Sequence, residues 1–249
     1  MLRRTFEETS YMLCMRNVVC WVLIVVYSLS PAWAAESSTE PVAHGSREGW
    51  MKRHQAMNKR VKQGNVDLIF VGDSITAGWE HTGKKTWNEH FGKLNAVNLG
   101  IGGDRTQHVL WRLDKGNLDG IQPKAAVLMI GTNNSGGDEY TAEEIGAGIT
   151  GIVAKMREKL PETKILVLAI FPRGESPNPQ REKNAKASEI ASKLADDKHI
   201  FYLDIGPKFL EADGTLSKEI MPDLLHLSPK GYEIWADAID AKLHELMSD

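Results

Sequence analysis

Five short apolar runs, each followed by a stretch of helical composition, constrain this chain more than any other feature. They are VDLIFVG (66–72), NAVNLG (95–100), AAVLMIG (125–131), KILVLAI (164–170) and HIFYLDI (199–205). Near-continuous runs of Val, Ile and Leu are the pattern of strands buried on both faces. Helical candidates lie at 86–91, 104–114, 141–159, 180–196 and 229–247. Thr141 opens the third with TAEE, a capping residue followed by acids in the first turn. Ser228 and Pro229 give the last helix both a cap and Pro at its first position. An amphipathic segment, REGWMKRHQAMNKRVKQG, precedes the first run and closes at Gly64. The alternation predicts an α/β domain with a five-stranded parallel sheet covered on both faces. Chemistry in such sheets collects at the carboxyl ends of the strands, so the residues after each run carry the functional reading.

The first 46 residues stand apart. Val18–Leu29, VVCWVLIVVYSL, follows Arg16 and precedes Pro31 and AWAAE, where Ala32 and Ala34 form a small-x-small pattern. The apolar core is about a dozen residues, short of the roughly 20 that a spanning helix needs. Residues 1–34 are therefore expected to be a signal peptide, 35–46 a polar tether and 47–249 the domain. Export to the periplasm or the extracellular space, without stable membrane insertion, is the corresponding expectation. Both cysteines, Cys14 and Cys20, fall inside this leader, so the expected mature chain has no disulfide and no cysteine–metal site. A net charge of −3 gives no electrostatic reason to expect nucleic acid as a partner.

At the strand ends stand GDS with Ser74, GIGGDR with Gly102 and Gly103, GTNN with Asn133, and FPRG. Just before the last helix, PDLLHLSPKGY supplies Asp223 and His226. Each piece alone has a structural reading: Ser74 fits a helix N-cap, the glycines fit a tight turn, and Asn133 fits a cap. Together they are the parts of an acyl-transfer site. A serine hydroxyl needs a base to take its proton, and histidine serves at neutral pH. The histidine needs a carboxylate to fix its tautomer, and Asp223 lies three positions from His226. The oxyanion needs donors, for which the candidates are the N–H of Ser74, the N–H of Gly103 and the Asn133 amide.

Three near-matches fail on single residues. GWEHTGKK (78–85) has Lys85 where a phosphate-binding loop requires Ser or Thr. In GIGGDR, Arg105 replaces the third glycine of a dinucleotide fingerprint, and Thr76 breaks the G-x-S-x-G elbow. The eight histidines show no metal-ligand spacing, so neither metal nor cofactor is expected.

With these residues in view, the chain resembles the SGNH (GDSL) hydrolases. The four blocks of that family carry Ser, Gly, Asn and His, matched by Ser74 in GDSIT, Gly103 in GIGGDR, Asn133 in GTNN and His226 in DLLH. Within the family the chain is most similar to the catalytic subunits of the type I platelet-activating-factor acetylhydrolases. That similarity runs through NLGIGGDRTQHVLWRL (98–113) and PRGESPNPQREKNAK (172–186). The resemblance implies a flavodoxin-like three-layer α/β/α fold and a metal-free esterase. It implies Ser74 as nucleophile, His226 as base and Asp223 as orienter, with Ser74, Gly103 and Asn133 as the oxyanion hole. It is also compatible with a homodimer. Ile75 and Leu225 flank the nucleophile and the base, and are expected to wall a short acyl site suited to acetyl. The alcohol portion is read as lipid or, for an exported enzyme, carbohydrate. Trp79, Trp87 and Trp111 fit either a sugar-stacking surface or the core.

Overall fold

The computed structural model describes residues 37–45 and 48–248. Five strands form one fully parallel sheet: β1 (Leu68–Gly72), β2 (Ala96–Gly100), β3 (Ala125–Met129), β4 (Lys164–Leu168) and β5 (Ile200–Leu203). Their order is β2-β1-β3-β4-β5, the flavodoxin-like arrangement whose strand order reverses beside β1. Helices α1 (Glu48–Val61), α2 (Ser74–Ala77), α3 (Lys84–His90), α4 (Thr106–Arg112), α5 (Ala142–Lys159), α6 (Pro179–Ser192) and α7 (Pro229–Met247) connect and cover the strands. None of the helices among the described residues is long and apolar enough to cross a membrane.

Alternation along each strand sorts the core into two layers. Ile69 and Val71 of β1, Leu128 of β3 and Val167 of β4 join one cluster with Ile145, Ile149, Ile152 and Met156 of α5. Phe70 of β1, Val127 of β3 and Leu166 of β4 point the other way, toward Trp235, Ile239 and Leu243 of α7. The result is the three-layer α/β/α packing expected of runs that are apolar on both faces. Trp79 belongs to the second layer, wholly buried, with Trp87 packed against it, while Trp111 packs on the first layer. These three indoles therefore sit on opposite sides of the sheet and make no common sugar-stacking face.

The third, fourth and fifth predicted runs overshoot their strands at the carboxyl ends because their last residues leave the sheet, while the first two end with β1 and β2. Gly131, at φ +129°, is one such exit. The predicted caps form: Thr141 with Glu144 in a reciprocal box, and Ser228 on the Gly231 N–H. The four-residue helix α2 is absent from the predicted helical stretches, although a helix start at Ser74 is one reading of GDS. It exists because its surroundings complete its hydrogen bonds. Asn98 Nδ2 donates to the Thr76 carbonyl at 2.9 Å, and the Tyr232 hydroxyl donates to the Ile75 carbonyl at 2.7 Å.

Residues 37–45, expected as a tether, lie against the domain. Ser38 is buried and donates to the Glu144 carbonyl, and the Val42 N–H donates to the Gln107 carbonyl.

Helix α2 approaches the sheet so closely that a Cβ on Gly100 would stand 2.4 Å from the backbone nitrogen of Ala77. Gly100→Ala therefore overpacks backbone against backbone, and we predict a loss of about 3 kcal/mol, read from urea denaturation.

Candidate active site

Strand β1 ends at Gly72, and the chain turns at once into α2. The capping role considered for Ser74 belongs to its neighbour: Asp73 Oδ1 accepts from the Ile75 N–H at 3.0 Å. That leaves the Ser74 hydroxyl free to point elsewhere. It lies 2.9 Å from His226 Nε2. The other ring nitrogen of His226, Nδ1, lies 2.6 Å from Asp223 Oδ2. A proton held on Nδ1 by this carboxylate leaves the Nε2 lone pair facing Ser74.

The turn carrying the acid and the histidine is preorganised. Asp223 Oδ1 accepts the N–H groups of Leu225 and His226 at 3.1 and 2.7 Å, so one carboxylate fixes both the ring and the backbone behind it. Leu224 between them has φ +61°, an uncommon conformation for a branched side chain that concentrates at functional sites. Burial acts to raise the Asp223 carboxyl, but its bonds to His226 and to the backbone outweigh that and hold it below the usual carboxylate range.

The loop after β2 lies beside Ser74, since a Cβ on Gly102 would come 3.8 Å from Ser74 Cβ. Gly103 follows with φ +81°, a conformation suited to glycine. Asn133, from the loop after β3, donates one amide hydrogen to the Asp104 carbonyl at 2.9 Å. The structure thus gathers the strand-end residues Ser74, Gly103 and Asn133, and brings Asp223 and His226 across from the turn before α7. Leu225 is half-buried next to His226. Ile75 is 1% exposed and packs in the α7-side core, so it can bound an acyl site only as a sealed floor.

Several site residues escaped the sequence reading. Asp73 is fully buried, and Oδ2 has no hydrogen-bond partner among the described residues. Burial pushes this carboxyl from 3.8 up to about 7; nearby Asp104 adds to the rise, while the Ile75 N–H, His226 and Arg173 oppose it. Arg173, in the PRG loop after β4, is half-buried and donates to the carbonyl and hydroxyl of Thr132. Burial lowers its guanidinium below the ordinary value, against the pull of Asp73 and Asp223. A charge adjoining GTNN was visible in FPRG, but nothing local said which way it pointed.

Comparison with known proteins agrees with this geometry. Residues 70–234 match the model of the GDSL-like lipase/acylhydrolase family. The chain is 40% identical to platelet-activating factor acetylhydrolase IB subunit alpha1 of Bos taurus, covering 85% of this chain and 90% of that protein. It is 43% identical to the alpha2 subunit of Rattus norvegicus, covering 80% of this chain and 83% of that protein. Among solved structures, a GDSL-like lipase of Bacteroides thetaiotaomicron superposes with a TM-score of 0.63 at 19% identity, covering 78% of this chain and 97% of that one. The chain belongs to the GDSL-like lipase/acylhydrolase family, the SGNH hydrolases. It is a carboxylic ester hydrolase.

The same matches overturn the expected export. The curated relatives are subunits of an intracellular enzyme, so the periplasmic or extracellular location is withdrawn. The export expectation rested on the composition of the apolar run alone. The leader itself, residues 1–34, lies outside the described residues.

Asp73 makes a testable contribution to stability. Its native carboxyl holds its proton up to about pH 7, whereas an unfolded aspartate releases it near 3.9. The stabilisation is complete below about pH 4 and is lost as pH rises toward 7. Asp73→Asn should remove that decline, seen as a flatter dependence of urea-unfolding stability on pH between 4 and 7.

Proposed function

We propose that the protein is a serine esterase that removes a short acyl group, acetyl above all, from an ester of the platelet-activating-factor type. The observation that carries this reading is the unbroken relay Asp223–His226–Ser74, with contacts of 2.6 and 2.9 Å. Ser74 Oγ attacks the ester carbonyl while His226 Nε2 takes its proton, and Asp223 stabilises the imidazolium that forms. The N–H groups of Ser74 and Gly103, with the second amide hydrogen of Asn133, receive the oxyanion. His226 then protonates the departing alcohol, and the acyl group rests on Ser74. Water, deprotonated by the same histidine, releases the acid and restores the enzyme.

The choice of a short acyl group draws support from the surroundings of the relay. Ile75, next in sequence to Ser74, is buried in the α7-side core, and half-buried Leu225 precedes His226, so both branched side chains adjoin the relay along the chain. The names of the curated relatives, platelet-activating factor acetylhydrolase subunits, point to the same acyl group. The carbohydrate alternative drew on export and on an open tryptophan surface, and neither now supports it. A purely non-catalytic binding role has no use for a relay oriented at both histidine nitrogens.

Hydrolysis of p-nitrophenyl acetate, butyrate and octanoate by the chain and by Ser74→Ala tests the reading. Acetate should be preferred, and Ser74→Ala should lower kcat by at least about 10³-fold. Activity that survives in the variant would refute Ser74 as nucleophile. Leu225→Ala should raise octanoate turnover relative to acetate, a change in ratio that a general loss of active enzyme cannot mimic.

A further inference from the structure

The loop that carries Gly103 is held from behind by a buried charged network. Asp104 follows Gly103, and its side chain is sealed from solvent. Arg112 of α4, also wholly buried, donates Nε to Asp104 Oδ2 at 2.6 Å. It donates Nη2 to the Gly72 carbonyl at 3.0 Å and Nη1 to Asn117 Oδ1 at 2.8 Å. Trp50 of α1 donates its indole N–H to the remaining Asp104 oxygen, Oδ1, at 2.6 Å. The backbone carbonyl of Asp104 accepts the Asn133 amide. Upstream, His44 Nε2 donates to the carbonyl of Gly103 itself at 3.1 Å.

Apart from the bond to Asn117, these contacts end on groups adjoining a proposed donor. The Gly72 carbonyl stands two residues before Ser74, the Asp104 carbonyl orients Asn133, and the His44 contact fixes the Gly103 peptide. One guanidinium therefore links the nucleophile turn to the oxyanion loop, and one carboxylate joins that guanidinium to α1. Trp50 and His44 both lie ahead of residue 70, where the match to the family model begins.

A buried ion pair is expensive to desolvate and is a poor source of stability by itself, because apolar replacements of similar shape do as well. What it provides is a fixed geometry. We infer that Asp104 and Arg112, clamped by Trp50 and His44, are positioning residues that hold the oxyanion donors at catalytic distance from Ser74. This rests on the serine esterase reading above. None of the four touches substrate; they act through Gly103, Asn133 and the turn before Ser74.

Trp50→Phe is the decisive variant, because it removes one donor to Asp104 and keeps an aromatic ring in the core. Arg112→Lys serves beside it, retaining the charge while losing the fork that reaches Gly72 and Asn117. Each would be assayed on p-nitrophenyl acetate and on its thionoester, in which sulfur replaces the carbonyl oxygen. A well-formed oxyanion hole discriminates against the larger, weaker-accepting sulfur, so the oxo-to-thiono rate ratio reports its geometry. We expect Trp50→Phe to lower kcat for the oxoester about tenfold, short of the roughly 10²-fold loss from deleting a donor outright. KM should hold within about twofold and the oxo-to-thiono ratio should shrink in step with kcat, since the loss falls on the transition state. An unchanged kcat, or equal slowing of both esters at a constant ratio, would overturn the inference and leave the network a purely structural one. Ser74→Ala assayed in parallel separates the two levels: activity persisting there refutes the nucleophile, not the clamp.

Discussion

The close approach of α2 to the sheet is the constraint on which the site depends. Four residues of helix leave most of their backbone groups without intrahelical partners, so such an element has no stability of its own. It is held because Gly72 and Gly100 let the helix descend into contact, where a Cβ on Gly72 would meet the Thr76 side chain and one on Gly100 the Ala77 nitrogen. Asn98 and Tyr232 then complete its carbonyls. The position of Ser74 follows from these contacts with β1, β2 and α7, and the other site residues are placed relative to it.

Three aspartates surround this turn, and their surroundings give them three different states. Asp223 keeps its charge because it accepts from the ring and backbone of His226, as well as from the Leu225 N–H. Asp104 lies beneath the site against a permanently charged guanidinium and an indole N–H. Asp73 accepts one backbone N–H on Oδ1, and among the described residues its Oδ2 has no hydrogen-bond partner, so burial leaves its carboxyl titrating near neutrality. One chemical group thus serves to orient a base, to anchor a loop and to cap a helix, and the distinction is drawn by neighbours rather than by composition.

Much of this was legible in the sequence, for identifiable reasons. The apolar runs gave the strands because burial on both faces leaves a continuous pattern, and the caps at Thr141 and Ser228 are local by nature. Ser74, Gly103 and Asn133 were visible because strand ends in a parallel sheet converge, and Asp223 and His226 because they stand three positions apart just before the last helix. Arg112, Trp50 and His44 were not visible. Their significance lies in contacts across 8, 54 and 59 residues to partners that no periodicity reveals. Asp73 was hidden differently: GDS reads alike whether the cap is its aspartate or its serine, and only the direction of the side chains separates the two. The expected export rested on a local pattern alone, and the relatives contradict it.

The relay has one short half and one long half. Asp223 meets His226 within a single turn, but His226 reaches Ser74 across 152 residues of intervening chain. Closing a contact of that span requires the sheet to be assembled, and α7 to be docked on it, before any reward is gained. The serine and its base thus cannot be joined on a partly folded or nascent chain. On the proposed mechanism, ester cleavage waits until the final helix is seated, so turnover would itself mark the completion of folding.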